Sequence, residues 1–240
     1  MENSRQIPWR RTMVESVAII LSILFAFAID AGWDAIKERS QEKAFLVSLL
    51  SDFKETRSRI DESIDAHMRF IDLARQLLGL HGGDTRNIEP EALENMLSAV
   101  FFNWQSLYLP SGSRDALFAS GDIEIIDNEE LRAMLAAWPS VVADAAEDDI
   151  LIANDIMNNL APYLQSKIRT RNVVRISNSD AAELIPRIES VNYDALWNDP
   201  VFENLVTFRI VNEAYAVDEN DRLSEAVDEI IRVIEKELDR

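Results

Sequence analysis

A chain of 240 residues, 48% of them apolar, has material for one large core or two small ones, which sets intrinsic disorder aside. Its 43 acids against 24 bases leave a net charge of -19, and because residues 1–33 hold three of each, the whole excess falls in residues 34–240. A surface that negative repels phosphate and argues against nucleic acid as a partner, while the absence of cysteine excludes disulfides, thiol catalysis and most structural zinc sites.

Residues 1–12 form a short basic tail carrying Arg5, Arg10 and Arg11. From Met13 to Trp33 the chain is apolar enough to cross a bilayer, since a helix of that length covers about 31 Å. The uninterrupted apolar run, Val17 to Ile29 broken only by Ser22, would also suit a signal peptide with Ala26-Phe27-Ala28 as its cleavage site, or a buried core helix. Three features favour a retained anchor. Trp9 and Trp33 bracket the run as interface residues, Arg10 and Arg11 sit at one end, and the helical pattern continues through the cleavage site into "WDAIKERSQEKAFLVSLL". The expectation is a transmembrane helix over 13–33 in contact with membrane lipid.

At four-residue spacing Glu15, Ala18, Ser22, Ala26 and Asp30 share one face, and small residues let helix backbones approach, so this face predicts self-association or docking on another membrane protein. The plainer alternative is that alanine and serine are common in anchors and both acids reach the headgroups. Basic residues flank the span on both sides, Lys37, Arg39 and Lys43 following it. Orientation therefore rests on the ease of retaining a short basic tail, which places the C-terminal domain outside the cytoplasm.

A stalk helix is expected over 34–80. Leu46, Leu50, Phe53, Arg57, Ile60, Ile64, His67, Ile71, Ala74 and Leu78 alternate steps of four and three as a coiled-coil seam does. Arg57 and His67 within it mark places where the seam opens to solvent or meets an acidic neighbour. Middle helices follow over 90–168. Pro90 suits a first turn, Pro110 and Gly112 break the chain, Ser113 can cap and Gly121 can end a short helix, "DIEII" reads as an extended connector, and Asp127 with Glu130 forms a capping-box variant. Trp138-Pro139 predicts a break or kink and Pro162 a bend. Residues 169–198 are irregular. A long last helix over 199–239 starts at Asn198 or Asp199 before Pro200, with Phe202, Leu205, Phe208, Val211, Leu223, Val227, Ile230, Ile234 and Leu238 as its apolar face. The periodicities support an all-α fold, the membrane helix continuous with the stalk and packed into an antiparallel helical bundle with the acidic residues 34–240 as one domain.

No catalytic or ligand-binding template is met. His67 lacks a fellow at metal-ligand spacing, the acidic runs "DAAEDD", "DNEE" and "DENDR" match no calcium loop and read as solvated faces, and phosphate-binding and nucleophile motifs are absent. No cofactor is expected. One basic patch, Lys167, Arg169, Arg171 and Arg175, stands out as a contact surface for an acidic neighbour or a lipid headgroup, or as the dipole-favoured end of a helix.

Three stretches in order, "ESVAIILSILFAFAIDAGWDAIKERSQEKAFLVSLLSDF", "RDALFASGDIEIIDNEELRAML" and "LWNDPVFENLVTFRIVNEAY" with "IIRVIEKEL", resemble a bacterial family of single-pass membrane proteins of unknown function. The resemblance implies a membrane anchor and a helical domain in the bacterial inner membrane and carries no catalytic residue. The functional expectation is a non-enzymatic, membrane-anchored interaction or scaffold protein, a homo-oligomer or the partner of another membrane protein. The alternative is an extracytoplasmic ligand-sensing bundle without an output domain of its own.

Overall fold

The structure is a computed structural model that describes residues 9–80, 88–174 and 185–240, and among these every regular element is helical. Helix α1, Trp9–Gly79, runs for 71 residues, about 105 Å, with no proline inside it. Helix α2 (Pro90–Phe102) and α3 (Gly112–Ser120) are short. Helix α4 (Glu129–Asp155) passes through a π turn at Ile156–Leu160 into α5 (Ala161–Lys167). A single turn, α6 (Asp194–Trp197), precedes the last long helix, α7 (Pro200–Leu238).

Contacts between the long helices fall in a regular order. Arg39 donates to the Glu237 carbonyl, Arg57 pairs with Asp228, Asn220 donates to Ser63 and His67 meets Glu213, so residue numbers rise along α1 as they fall along α7. Helix α4 behaves likewise against α7, from Asn128 at Glu237 to Tyr163 at Asp199. Between α1 and α4 numbers rise together, from Glu42 at Asp127 to His67 at Asp149.

Apolar residues on these helices form two clusters. One, around Leu46, Phe53, Ile60, Leu131, Trp138, Leu223 and Ile234, lies toward the apolar N-terminal segment. The other, around Leu77, Leu97, Phe101, Ile156, Trp197 and Phe202, lies at the far end of α1. On α1 the buried positions are Glu42, Leu46, Leu49, Phe53, Thr56, Ile60, Ser63, Ala66, His67, Ile71, Ala74 and Leu77, whereas Leu50, Arg57, Ile64 and Leu78 of the expected seam are only half-buried. The cause is that α1 packs against α7 and α4 together, so its buried face is wider than a two-helix seam.

Several local expectations are corrected. On α7 the core face is Val206, Arg209, Glu213 and Ala216, while Phe208 and Val211 are 64% and 41% exposed. With Val201 and Tyr215 they form an exposed apolar stripe. The stretch after Gly121, which adopts φ 79° as a left-handed cap, is a 3-10 turn at Asp122–Ile125 and not an extended connector. Ser113 caps nothing through its side chain; its N–H donates to Asp52 on α1 at 2.8 Å, so α3 docks by its N-terminus. The cap of α4 is Asn128, whose Oδ1 accepts the Leu131 N–H at 3.0 Å, one residue beyond the expected Asp127. The Asp199 cap and the Pro200 start of α7 fall where the sequence places them.

Pro139 does not break α4. A proline there cannot bond the Leu135 carbonyl four residues back, and the Arg114 Nε donates to that oxygen at 2.7 Å instead. Beside it Trp138 packs edge-on against Phe53, ring centroids 5.2 Å apart, which pins the same turn to α1. Arg114→Met, which leaves the carbonyl unpaired, is expected to destabilise the full-length protein in detergent by about 1–3 kcal/mol. In a Pro139→Ala background, where a backbone N–H returns, the same substitution should cost measurably less. Thermal melts by circular dichroism of the four proteins complete the cycle, and equal costs in both backgrounds would disprove this account.

Candidate functional site

One helix among the described residues is long and apolar enough to cross a membrane, by length and composition, and it is the first part of α1. From Val17 to Trp33 every residue is exposed, including Ile19, Leu24, Phe25, Phe27 and Ile29, so no other described residue covers this segment. Trp9 and Trp33 stand exposed near its two ends, and Arg10 and Arg11 lie in the first turn of α1. Helical spacing puts Glu15, Ala18, Ser22, Ala26 and Asp30 on one face. The Ser22 hydroxyl donates to the Ala18 carbonyl at 2.8 Å, so what this face offers a neighbouring helix is small size and not a free hydroxyl donor.

The basic patch is divided. Lys167 pairs with Asp199 at 2.8 Å, and the Tyr163 hydroxyl donates to the same carboxylate oxygen, tying the end of α5 to the cap of α7. The Lys167 hydrogen bond, the Val201 N–H and Tyr163 hold the Asp199 carboxyl below its usual range. Arg169 and Arg171 are exposed around a 3-10 turn at Thr170–Asn172, and Arg175 lies outside the described residues.

Between the two apolar clusters the core is polar. His67 is fully buried, with Nδ1 2.5 Å from Glu213 Oε2 on α7 and Nε2 3.3 Å from Asp149 Oδ1 on α4. Glu213 also pairs with Arg209 one turn before it at 2.6 Å, and Arg209 donates to the Asn103 carbonyl at 2.8 Å and lies over the Phe70 ring at 5.1 Å. Asp149 in turn accepts the Leu107 N–H at 3.0 Å. Burial works against the imidazolium, yet hydrogen bonds and charge from Asp149 and Glu213 outweigh it and raise the pKa of His67 to about 9. His67 is thus a cation near neutral pH, two positive charges face two negative ones, and neither ring nitrogen offers a lone pair to a metal. Asp149, the last acid of "DAAEDD", therefore belongs to the interior and not to the solvated face read from the sequence.

A second polar cluster opens into a cavity of about 630 Å³ at the far end of the domain, lined by residues of α2, α6 and the segment 187–194. Its floor is Glu94, 2% exposed. The Glu94 carboxylate accepts Asn172 Nδ2 at 3.1 Å and the Tyr193 hydroxyl at 3.0 Å on Oε1, and the Arg187 guanidinium on Oε2. Asn172 is itself fixed by the Ile188 backbone, accepting its N–H and donating to its carbonyl, both at 3.0 Å. Burial, with the hydrogen bond to Glu94, pushes the Tyr193 hydroxyl up, so it is a fixed donor. Trp197 lines the same cavity, and its buried indole N–H has no hydrogen-bond partner among the described residues. These residues are scattered from 94 to 197, and no spacing in the sequence links them.

Linkage gives His67 a definite signature. Its pKa is higher folded than the ordinary 6.5, so its stabilising contribution is complete below pH 6.5 and is lost as the pH rises through about 9. The melting temperature of the full-length protein should fall over that window, by the equivalent of roughly 3 kcal/mol in all. His67→Gln, unable to titrate, should flatten the profile there; an unchanged slope would assign the effect to other groups.

No family model, curated protein or solved structure matches this chain, so the resemblance rests on the three quoted stretches alone.

Proposed function

We propose that this protein is a single-pass, membrane-anchored helical interaction module without catalytic activity, its anchor continuous with an antiparallel bundle. The supporting observation is that α1 has two apolar faces with different fates. Over 17–33 its large apolar residues are covered by no other described residue, and over 46–77 the same helix supplies both cores. Lipid is the natural cover for the first segment. On this reading the bundle projects from the outer face of a bacterial inner membrane, and partners engage it through the small-residue anchor face and the exposed stripe Val201, Phe208, Val211 and Tyr215 on α7. A second reading, ligand sensing outside the cytoplasm, draws support from the Glu94 cavity, with its buried, pre-formed polar floor.

The anchor reading expects the protein to stay in the pellet on alkaline carbonate extraction and to enter solution only with detergent. Recovery in the soluble fraction, or a mature chain starting after Ala28, would refute it. Orientation is accessible because the chain has no cysteine. A single Ser140→Cys on the exposed side of α4 should react with a membrane-impermeant maleimide in intact spheroplasts. Self-association through the anchor predicts that Ser22→Leu with Ala26→Leu lowers the detergent-corrected mass measured by light scattering. An unchanged mass would exclude that face as the contact.

A further inference from the structure

We infer that the Glu94 cavity binds a small amphipathic monocarboxylate, with Arg187 as the group that recognises its carboxylate and the Trp197 ring in the apolar wall beside it. The inference rests on the sensing reading and adds to it the class of ligand.

The carboxylate of Glu94 is already supplied with donors from Asn172, Tyr193 and Arg187. It therefore serves as a fixed base plate and has little left to offer a ligand amine. Its effect is to hold the Arg187 guanidinium by one nitrogen, Nη2, at the cavity wall. Arg187 is otherwise half-exposed, and its remaining nitrogens make no hydrogen bond to a described residue, so an edge of the planar fork is presented for a second carboxylate. The ring of Trp197 forms part of the wall, its indole N–H lying buried beneath the cavity surface. With an open guanidinium edge and no unsatisfied buried acceptor among the described lining residues, the cavity favours an acceptor ligand.

Charge then limits what that acceptor is. Glu189 and Asp194 stand exposed at the rim, Arg187 is half-neutralised by Glu94, and the domain is strongly acidic. A phosphate or a dicarboxylate would bring two negative charges into this field, whereas a single carboxylate brings one and receives the open guanidinium edge. The rest of the lining, Ile88, Pro90, Leu93, Val191 and the Trp197 ring, is apolar and calls for an apolar or aromatic body on the ligand. The volume suits a molecule of that kind and not a macromolecule.

The probe is phenylacetate, with phenylacetamide and phenethylamine as neutral and cationic counterparts, added to full-length protein in nanodiscs labelled with 15N-tryptophan. The chain has five tryptophans, and the Trp197→Phe variant identifies the indole signal of Trp197. Phenylacetate should shift that signal saturably at millimolar concentration, with the amide weaker by about tenfold or more. Arg187→Gln should lose the response and, because it takes the charge partner from the buried Glu94, lower the melting temperature, so the titration is run well below that melt with wild-type helical content confirmed by circular dichroism; Arg187→Lys, which keeps the charge without the planar fork, should retain a weakened response. An equal response to the amide, or an unimpaired response in Arg187→Gln, overturns the assignment of Arg187 and of the carboxylate. Preference for phenethylamine overturns the ligand class while leaving the sensing reading in place. No saturable shift with any of the three overturns the proposal and removes the support the cavity gives to sensing.

Discussion

The packing of the whole domain turns on one electrostatic condition, that Asp149 and Glu213 are buried only because Arg209 and a protonated His67 are buried with them. The four groups come from three helices, α1, α4 and α7, and sit between two apolar clusters that could otherwise slide past each other with little change in burial. Leucines and isoleucines are tolerant of register, and a set of charges that must meet within hydrogen-bond distance is not. Moving α7 by one turn along α1 would leave Glu213 without His67 and strand a charge in the interior at a cost of several kcal/mol. The arrangement is not fully satisfied, since Nε and Nη1 of Arg209, Nε2 of His67, Oδ1 of Asp149 and Oε1 of Glu213 have no hydrogen-bond partner among the described residues, and the Phe70 ring beneath the guanidinium offsets only part of that. The polar layer thus contributes more to a unique alignment of the helices than to stability.

A second polar layer closes the end of the bundle nearer the apolar segment. Glu42 accepts the Asp127 N–H at 2.9 Å and pairs with Arg39, while Glu237 accepts Asn128 at 2.7 Å and Arg240 at 2.8 Å, and its carbonyl accepts Arg39. Two of these contacts tie α1 and α7 to the residues that open α4, and Arg39 ties α1 to α7 directly. Trp33 lies nine residues before Glu42 on the same helix, about 14 Å along its axis. A displacement of α1 along its own axis therefore meets this clasp first and the His67 layer next, with the apolar cluster between them carried along.

The outline of the fold was legible because it depends on features that act locally. Long periodic runs, Pro90, Gly121 and Asp199-Pro200 mark element ends through backbone chemistry that needs no knowledge of neighbours. What was not legible depends on partners. Pro139 is a helix breaker until Arg114, from another element, supplies the missing donor. Phe208 and Val211 look like core by hydropathy, yet α7 turns Arg209 and Glu213 inward because Glu213 meets two cations there, Arg209 and His67. A signal for this existed. Val206, Arg209, Glu213, Ala216 and Asn220 keep perfect four-three spacing, and His67 stood at a seam position where an acidic neighbour was one of two outcomes. The Glu94 cluster left no such trace, since its members are brought together by the ends of α2 and α6 and a segment with no periodicity.

The two polar clusters differ in a way that bears on what each can do. Around His67 one ring nitrogen bonds Glu213 and the other faces Asp149 at 3.3 Å, the imidazole is protonated, and the group is buried, so the layer has neither a free base nor access for a reactant. That is the profile of a structural element. Around Glu94 the carboxylate is committed as well, but the group it holds, Arg187, is half-exposed and lines a cavity. The first cluster keeps its unpaired polar atoms sealed inside the fold, whereas the second presents a guanidinium edge at a surface. Recognition of a molecule from outside requires a group that the molecule can reach, which is why the proposal of a ligand attaches to the second cluster and not to the more deeply buried first.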